Sequence, residues 1–435
     1  MYKDLMTVNK SGVMEIEGVS VIELEKNYQT PLFVYNQSVL EEKMKLFKDN
    51  FTSRFFKTEV LYASKAFCCQ AIYTLAEKMN LGVDVVTGGE IHTALSAGFN
   101  PENMYFHGNN KSTEELVIAI NRKIGCIVVD NDCEIKLISE ILKDTNVRQK
   151  IMIRVNPGIE AHTHEYIKTA RLESKFGYST YNPEKIIELI NSIESNPYLD
   201  FKGFHCHIGS QIQDPQAFYN TAKEMINFLK MLKNKYNRKT DWLNIGGGFG
   251  VTINEEDEAM DYKTLLKTLI RTIEDALIAN KMSLEKVIIE PGRSIVSEAA
   301  ITLYRVGGIK ETHAGKNYLF VDGGMTDNLR PALYQAKYEA DIATKMNLPK
   351  NDKRTIAGKL CESGDILIRD YQIQKAEIGD LLAIYSTGAY CYSMASNYNR
   401  TLRPAVVFVK KGKHKLVIKR ESYEDLTKNE LKGVL

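Results

Sequence analysis

The feature that most restricts what this chain can fold into is an alternation. Eight short apolar runs lie at residues 58–63, 81–86, 103–106, 126–129, 151–155, 203–207, 242–245 and 287–289. Between them are stretches with helical spacing, such as 66–79, 89–97, 112–121, 132–143, 183–194, 216–236 and 262–279. Runs of that length and texture read as buried strands. Strand and helix alternating in this way give parallel strands joined by crossover helices. Eight repeats in about 250 residues fit a closed (β/α)8 barrel of the TIM type better than an open sheet. A further helical pattern at 37–50 precedes the first run and is expected to cover the gap left after the eighth.

After Ser297 the texture changes. Runs at 301–309, 318–321, 367–368, 381–384, 405–409 and 415–418 read as strands separated by turns that contain glycine. The expected organisation is therefore α/β, with a barrel over 34–297 and a β-rich domain over 298–435. The β-like pieces at 1–33 would join that second domain most simply.

A barrel makes a demand that can be checked in the sequence, because its functional groups sit at the C-terminal ends of its strands. Lys65 ends the first run, Asp84 lies in the second, and Gly88, Gly89 and Glu90 follow it. His107 to Asn110 follow the third and Asp130 the fourth. Arg154 and Asn156 close the fifth, and His207 to Ser210 the sixth. Gly246 to Gly250 follow the seventh and Glu290 to Arg293 the eighth. One polar strand end means little; polar groups at all eight form a pattern.

Each group also has a plain reading. A lone lysine at a strand end is more often a charge clearing the core than a reactive amine. A glycine run can be a simple turn, although at this place in a barrel bare N–H groups are a recurring phosphate cradle. His207 alone is more often structural, and Glu290 alone would pair with Arg293. Taken together they suit pyridoxal phosphate. Lys65 would bind the aldehyde, Gly246, Gly247 and Gly248 would hold the phosphate, Ser210 would add a hydroxyl, and His207 would stack on the ring. Glu290 would hydrogen-bond the ring nitrogen and keep it protonated.

These residues resemble the fold-type III pyridoxal-phosphate decarboxylases, which share their barrel with alanine racemase. Within that family the resemblance runs along nearly the whole chain to the diaminopimelate decarboxylases. It is carried in order by YASKAF (62–67), LGVDVVTGGE (81–90), HGNNKS (107–112), ESKFG (173–177), FHCHIGSQ (204–211), LNIGGGFG (243–250) and EPGRSIV (290–296), and then by VDGGMTDNLRPALY (321–334), CESGDIL (361–367) and GAYCYSMASNYN (388–399). The resemblance implies that Lys65 carries the cofactor, with contacts from Asp84, His207, Ser210, Gly246, Gly247, Gly248, Glu290, Gly292, Arg293 and Tyr390. It implies substrate contacts from Arg293, Arg330, Tyr334, Glu362 and Tyr390, and a proton donor in Cys361. It also implies a homodimer with shared active sites, Cys361 and Glu362 coming from the neighbouring subunit. The implied reaction takes meso-2,6-diaminopimelate to L-lysine and carbon dioxide, the last step of lysine biosynthesis by that route. One departure is Cys391, where the family usually has glycine after GAY.

Substrate choice has a physical handle. A second amino-acid head group needs cations for its carboxylate and an anion for its amine, which Arg293, Arg330 and Glu362 can supply. An ornithine or lysine decarboxylase would need only acid at that end. A racemase sharing the barrel would need a base on each face of the ring and usually sets a cation, not a glutamate, against the ring nitrogen. Small non-catalytic relatives lack the second domain. Composition excludes other classes. The formal net charge of +2 gives no reason to expect nucleic acid or an anionic membrane as partner. No apolar run spans a bilayer, and residues 1–5 hold no apolar signal core, so a cytoplasmic protein is expected. The seven cysteines include the adjacent Cys68 and Cys69 and no CxxC pair, so neither disulfides nor a metal is expected. The charged run at 255–258 reads as a solvated loop.

Overall fold

Parallel pairing propagates from strand to strand until the sheet closes on itself. The computed structural model describes residues 6–143, 145, 147–159, 174–254 and 256–433. Residues 1–5, Glu173 of the ESKFG stretch and Glu255 of the charged run lie outside them. Among the described residues the barrel strands are β1 (Lys57–Ala63), β2 (Gly82–Val85), β3 (Met104–Phe106), β4 (Cys126–Val129), β5 (Gln149–Asn156), β6 (Leu199–His205), β7 (Trp242–Asn244) and β8 (Lys286–Ile289). Each pairs in parallel with the next, and β8 returns to β1 with Ile289 beside Val60. This is the closed eight-stranded barrel that the alternation predicts.

The helices begin where polar caps can take up their free N–H groups. Thr87, Ser112, Asn131, Asn182, Asp214 and Asp261 each accept a bond from the first turn of the helix that follows. These caps lie in the loops after β2 to β7, so the chain leaves each of those strands and turns back through a defined corner. Phe47, on the helix Gln37–Asn50, packs its ring against Phe249 after β7 and Tyr262 on the helix before β8.

Inside the barrel, Leu61, Tyr105, Cys126, Val128, Met152, Trp242 and Ile288 form one buried cluster. Its polar edge is satisfied internally. Glu59 accepts from Lys286 Nζ at 2.7 Å and from the Tyr105 hydroxyl at 2.8 Å. The same ammonium lies 4.1 Å from the centre of the Trp242 ring, a cation–π distance. The barrel unit comprises Glu41–Gly250 and Met260–Ser294.

The second unit takes the chain up to Leu40, the segment Val251–Ala259 and the chain from Ile295 onward. Its main sheet runs, in spatial order, Ile366–Ile373, Asp352–Ala357, Asn317–Val321, Ala300–Glu311, Leu32–Asn36, Ala405–Lys410 and Lys413–Ile418. Leu381–Ile384 pairs with Ala300–Glu311 and also with Ala340–Ile342. The sequence places the first boundary after residue 33. The strand Leu32–Asn36 crosses that point because it is hydrogen-bonded on both sides, antiparallel to Ala300–Glu311 and parallel to Ala405–Lys410.

Candidate active site

Lys65 leaves β1 in a single 3-10 turn, Ser64–Ala66, and its ammonium meets Asp84 Oδ2 at the end of β2. The Ser64 hydroxyl donates to the Asp84 carbonyl at 2.7 Å and ties the two strand ends together. Asp84 is buried, and its second oxygen, Oδ1, has no hydrogen-bond partner among the described residues. A buried carboxylate with an open acceptor beside an amine marks a place for a donor from outside the chain.

The turns after β6 and β7 meet backbone to backbone. Gly248 has φ +98°, and a Cβ there would run into the Gly209 carbonyl; at Gly247 it would run into the Glu290 carbonyl. Only glycine lets the two turns approach so closely. Ile212 N–H donates to the Gly248 carbonyl at 3.0 Å and Gly250 N–H to the Ile212 carbonyl at 3.0 Å, which extends the parallel pairing past the strand ends. The Ser210 hydroxyl accepts from Arg293 Nη2 at 3.0 Å. Pro291 and Gly292 press against the end of β1, with Ala63 N–H donating to the Pro291 carbonyl at 3.1 Å.

The sequence run extended the sixth strand through His207. The strand ends at His205, and His207 lies in the turn beyond it. There the His207 Nδ1 accepts from Gly247 N–H at 3.2 Å, which places the ring proton on Nε2. Burial first, and the Lys65 charge second, push the His207 imidazole well below its usual range, so it is uncharged at neutral pH.

Glu290 follows β8 and is buried. Its Oε1 accepts from Asn244 Nδ2 at 2.6 Å and lies 2.9 Å from His107 Nε2; its Oε2 lies 3.1 Å from His205 Nε2. Burial acts to protonate Glu290, but the two imidazoles outweigh it and hold the carboxyl well below its usual range. His205 is itself driven down to about 4, chiefly by burial, so it holds Glu290 as a neutral N–H donor. Asn244 also accepts from Gly246 N–H at 2.9 Å, so one side chain links Glu290 to the glycine turn. Among the described residues, His107, His205 and Glu290 are the one cluster of three that could hold a metal ion. The amide donor of Asn244 on Oε1 suits a hydrogen-bonded carboxylate.

The barrel unit thus gathers Lys65, Asp84, His207, Ser210, Gly246, Gly247, Gly248, Glu290, Gly292 and Arg293 at one end of its strands. The partners of Glu290 escaped the sequence reading. The histidines at 205 and 207, two apart at a strand end, and the one at 107 were the available signals, but only the closed barrel brings three strand ends to one carboxylate.

Within the sheet unit, Arg330 opens the short helix Arg330–Tyr334, and its guanidinium lies 4.9 Å from the Tyr334 ring centre and 5.6 Å from that of Tyr390. Cys361 and Glu362 are exposed on a loop built around Asp365, which accepts from Met325 N–H at 2.6 Å and Leu360 N–H at 2.9 Å. Asn399 Oδ1 accepts from the Cys361 N–H at 2.7 Å. The left-handed residue of the GAYC turn is Tyr390, with φ 59°, while Cys391 has φ −95°. A side chain at 391 therefore costs no backbone strain, and its thiol is buried 3.4 Å from Asn328 Oδ1.

The pyridoxal binding domain of the pyridoxal-dependent decarboxylases matches residues 37–297. The chain is 46% identical over 425 residues to the diaminopimelate decarboxylase of Bacillus subtilis, covering 97% of this chain and 96% of that one. It is 47% identical to the enzyme of the same name from Bacillus methanolicus, over 95% and 96% of the two chains. Among solved structures, the diaminopimelate decarboxylase of M. jannaschii in co-complex with L-lysine superposes with a TM-score of 0.90 at 31% identity, covering 99% of this chain and 98% of that one.

Proposed function

The chain belongs to the diaminopimelate decarboxylases within the pyridoxal-dependent decarboxylases, and from that premise we propose that it converts meso-2,6-diaminopimelate to L-lysine and carbon dioxide with pyridoxal phosphate in the barrel. The observation that carries the reading is the arrangement of Lys65, Glu290 and the glycine turn at one end of the barrel strands. The set fits the cofactor. It offers an amine for the aldehyde, a buried acceptor in Asp84 Oδ1, an ionised carboxylate for a ring N–H, and a turn of bare backbone that a Cβ would fill. Bound there, pyridoxal phosphate supplies the electron-accepting ring for the pair left when the carboxylate departs.

The chain's own residues do the rest. Lys65 presents its amine at the end of β1, and Asp84 fixes where that amine points. The glycine turn, with Ser210 and Arg293, holds the phosphate through N–H, hydroxyl and guanidinium groups. Neutral His207 offers a ring face for stacking. Arg293, Arg330, Tyr334, Glu362 and Tyr390 recognise the substrate, with arginine for carboxylate and Glu362 for the far amine. The Cys361 thiol hands its proton to the carbon that has lost its carboxylate. Cys361 and Glu362 serve the neighbouring subunit of a homodimer; their exposure on this single chain supports that assignment. All seven cysteines are free, Cys361 among them, which supports a reducing compartment such as the cytoplasm. Among the described residues, no helix is long and apolar enough to cross a membrane.

Release of carbon dioxide from meso-diaminopimelate, lysine and ornithine, measured side by side, tests the proposal. Release from diaminopimelate in large excess over the other two is expected. Preference for ornithine or lysine would overturn the substrate assignment, and no release from any of them would overturn the decarboxylase.

A further inference from the structure

A buried carboxylate that must stay ionised needs donors of its own, and Glu290 has them on both oxygens. We propose that His107 and His205 are positioning residues, fixing the Glu290 carboxylate in place as the partner of the cofactor's ring nitrogen. The inference rests on the reading of the barrel as a pyridoxal phosphate site.

Three observations carry it. First, the two imidazoles approach different oxygens, His205 Nε2 at 3.1 Å from Oε2 and His107 Nε2 at 2.9 Å from Oε1. The His107 contact is short but off the hydrogen-bond axis, so His205 is the better-formed clamp. Second, the rings pack edge to face with centres 4.7 Å apart and planes at 70°, and both residues are buried. Neither can swing away without displacing the other. Third, the His205 Nδ1 is buried with no partner among the described residues. An imidazolium would leave a second N–H stranded there, whereas the neutral Nε2–H tautomer strands only a lone pair.

Crowding then selects one oxygen. Each carboxylate oxygen has about two acceptor sites. Oε1 accepts from Asn244 and has the His107 ring pressed against it at 2.9 Å, whereas among the described residues Oε2 is approached by His205 and keeps capacity for one more donor. That capacity is what a protonated ring nitrogen needs. Without the histidines, burial would protonate Glu290 and remove the charge that keeps the ring nitrogen protonated.

The test uses the full-length enzyme reconstituted with pyridoxal phosphate isotopically labelled at its ring nitrogen. The nitrogen resonance reports protonation directly, and equilibrium dialysis reports cofactor retention. In His205→Leu, and less so in His107→Leu, the resonance should move toward the unprotonated position while cofactor is retained, and kcat should fall by about tenfold or more. His205→Gln can place an amide N–H near the same oxygen, and it should recover most of both signals. A histidine that only filled space would give the reverse, with Leu tolerated and no change in the nitrogen resonance. If the leucine variants do not fold, His205→Asn, whose shorter amide cannot reach Oε2, carries the same comparison with Gln. A protonated ring nitrogen in the folded, cofactor-loaded Leu or Asn variants overturns the positioning role. A wild-type protein that binds no cofactor, or releases no carbon dioxide from diaminopimelate, instead overturns the function on which the proposal rests.

Discussion

Asp327 should make the sheet unit's stability depend on pH. Its side chain is buried, with Oδ2 accepting from Gly324 N–H at 3.0 Å. Burial raises its pKa from the ordinary 3.8 to about 7. The carboxyl is therefore a stronger proton binder in the folded chain than in the unfolded one. The stability this proton provides is fully present below pH 3.8, declines as the pH rises and is lost above about 7. Roughly three units at 1.36 kcal/mol each give about 4 kcal/mol between the two limits. Asp327→Asn cannot ionise and should escape that loss. Its stability relative to wild type should therefore rise by about 4 kcal/mol from pH 4 to pH 8, with a slope near 1.4 kcal/mol per unit between them. Urea unfolding followed by far-ultraviolet circular dichroism at intervals across that range measures it. A difference between Asn and Asp that does not change with pH would show that Asp327 keeps an ordinary pKa and that its burial is compensated.

Lys65→Ala should lose the visible absorbance of the bound cofactor together with activity; a band that survives would assign the cofactor to another lysine. Glu290→Gln should retain cofactor but slow decarboxylation by about 10- to 150-fold, the equivalent of a charged hydrogen bond of about 1.5–3 kcal/mol, and near-normal turnover would show that Glu290 does not support the ring. If sites are shared across a two-fold interface, mixing the inactive Lys65→Ala and Cys361→Ala variants with subunit exchange should restore about one quarter of wild-type activity, because about half the dimers are mixed and each carries one intact site. Confirmed exchange without recovery, given an inactive Cys361→Ala parent, would place Cys361 with its own subunit's Lys65.

The barrel was legible because its strands declare themselves locally, as short apolar runs between helices with polar caps at their starts. The sixth strand shows where this fails. Its ladder begins at Leu199, before the apolar run, and shifts register between Phe201 and Gly203, so its hydrogen bonds do not coincide with its apolar residues. Two sheet strands were missed for a related reason. Ala340–Ile342 has three residues, and Asp352–Ala357 opens with Asp352, Lys353 and Arg354, which no apolar pattern would mark. At the site, single residues such as Lys65 and Glu290 could be named from their places at strand ends. Their partners could not, because Asn244, His107 and His205 reach Glu290 from strand ends far apart in sequence.

The ring of Trp242, buried in the barrel beside the Lys286 ammonium, has a spectroscopic consequence. It is the chain's sole tryptophan. Indole emission therefore originates entirely in β7 of the barrel, and the sheet unit contributes only tyrosine light. With excitation selective for indole, the emission follows the barrel's opening alone, whereas circular dichroism sums over both units. Recording both signals along one urea titration gives each unit its own readout without a label, and an effect of Asp327→Asn confined to the dichroism would locate the response in the sheet.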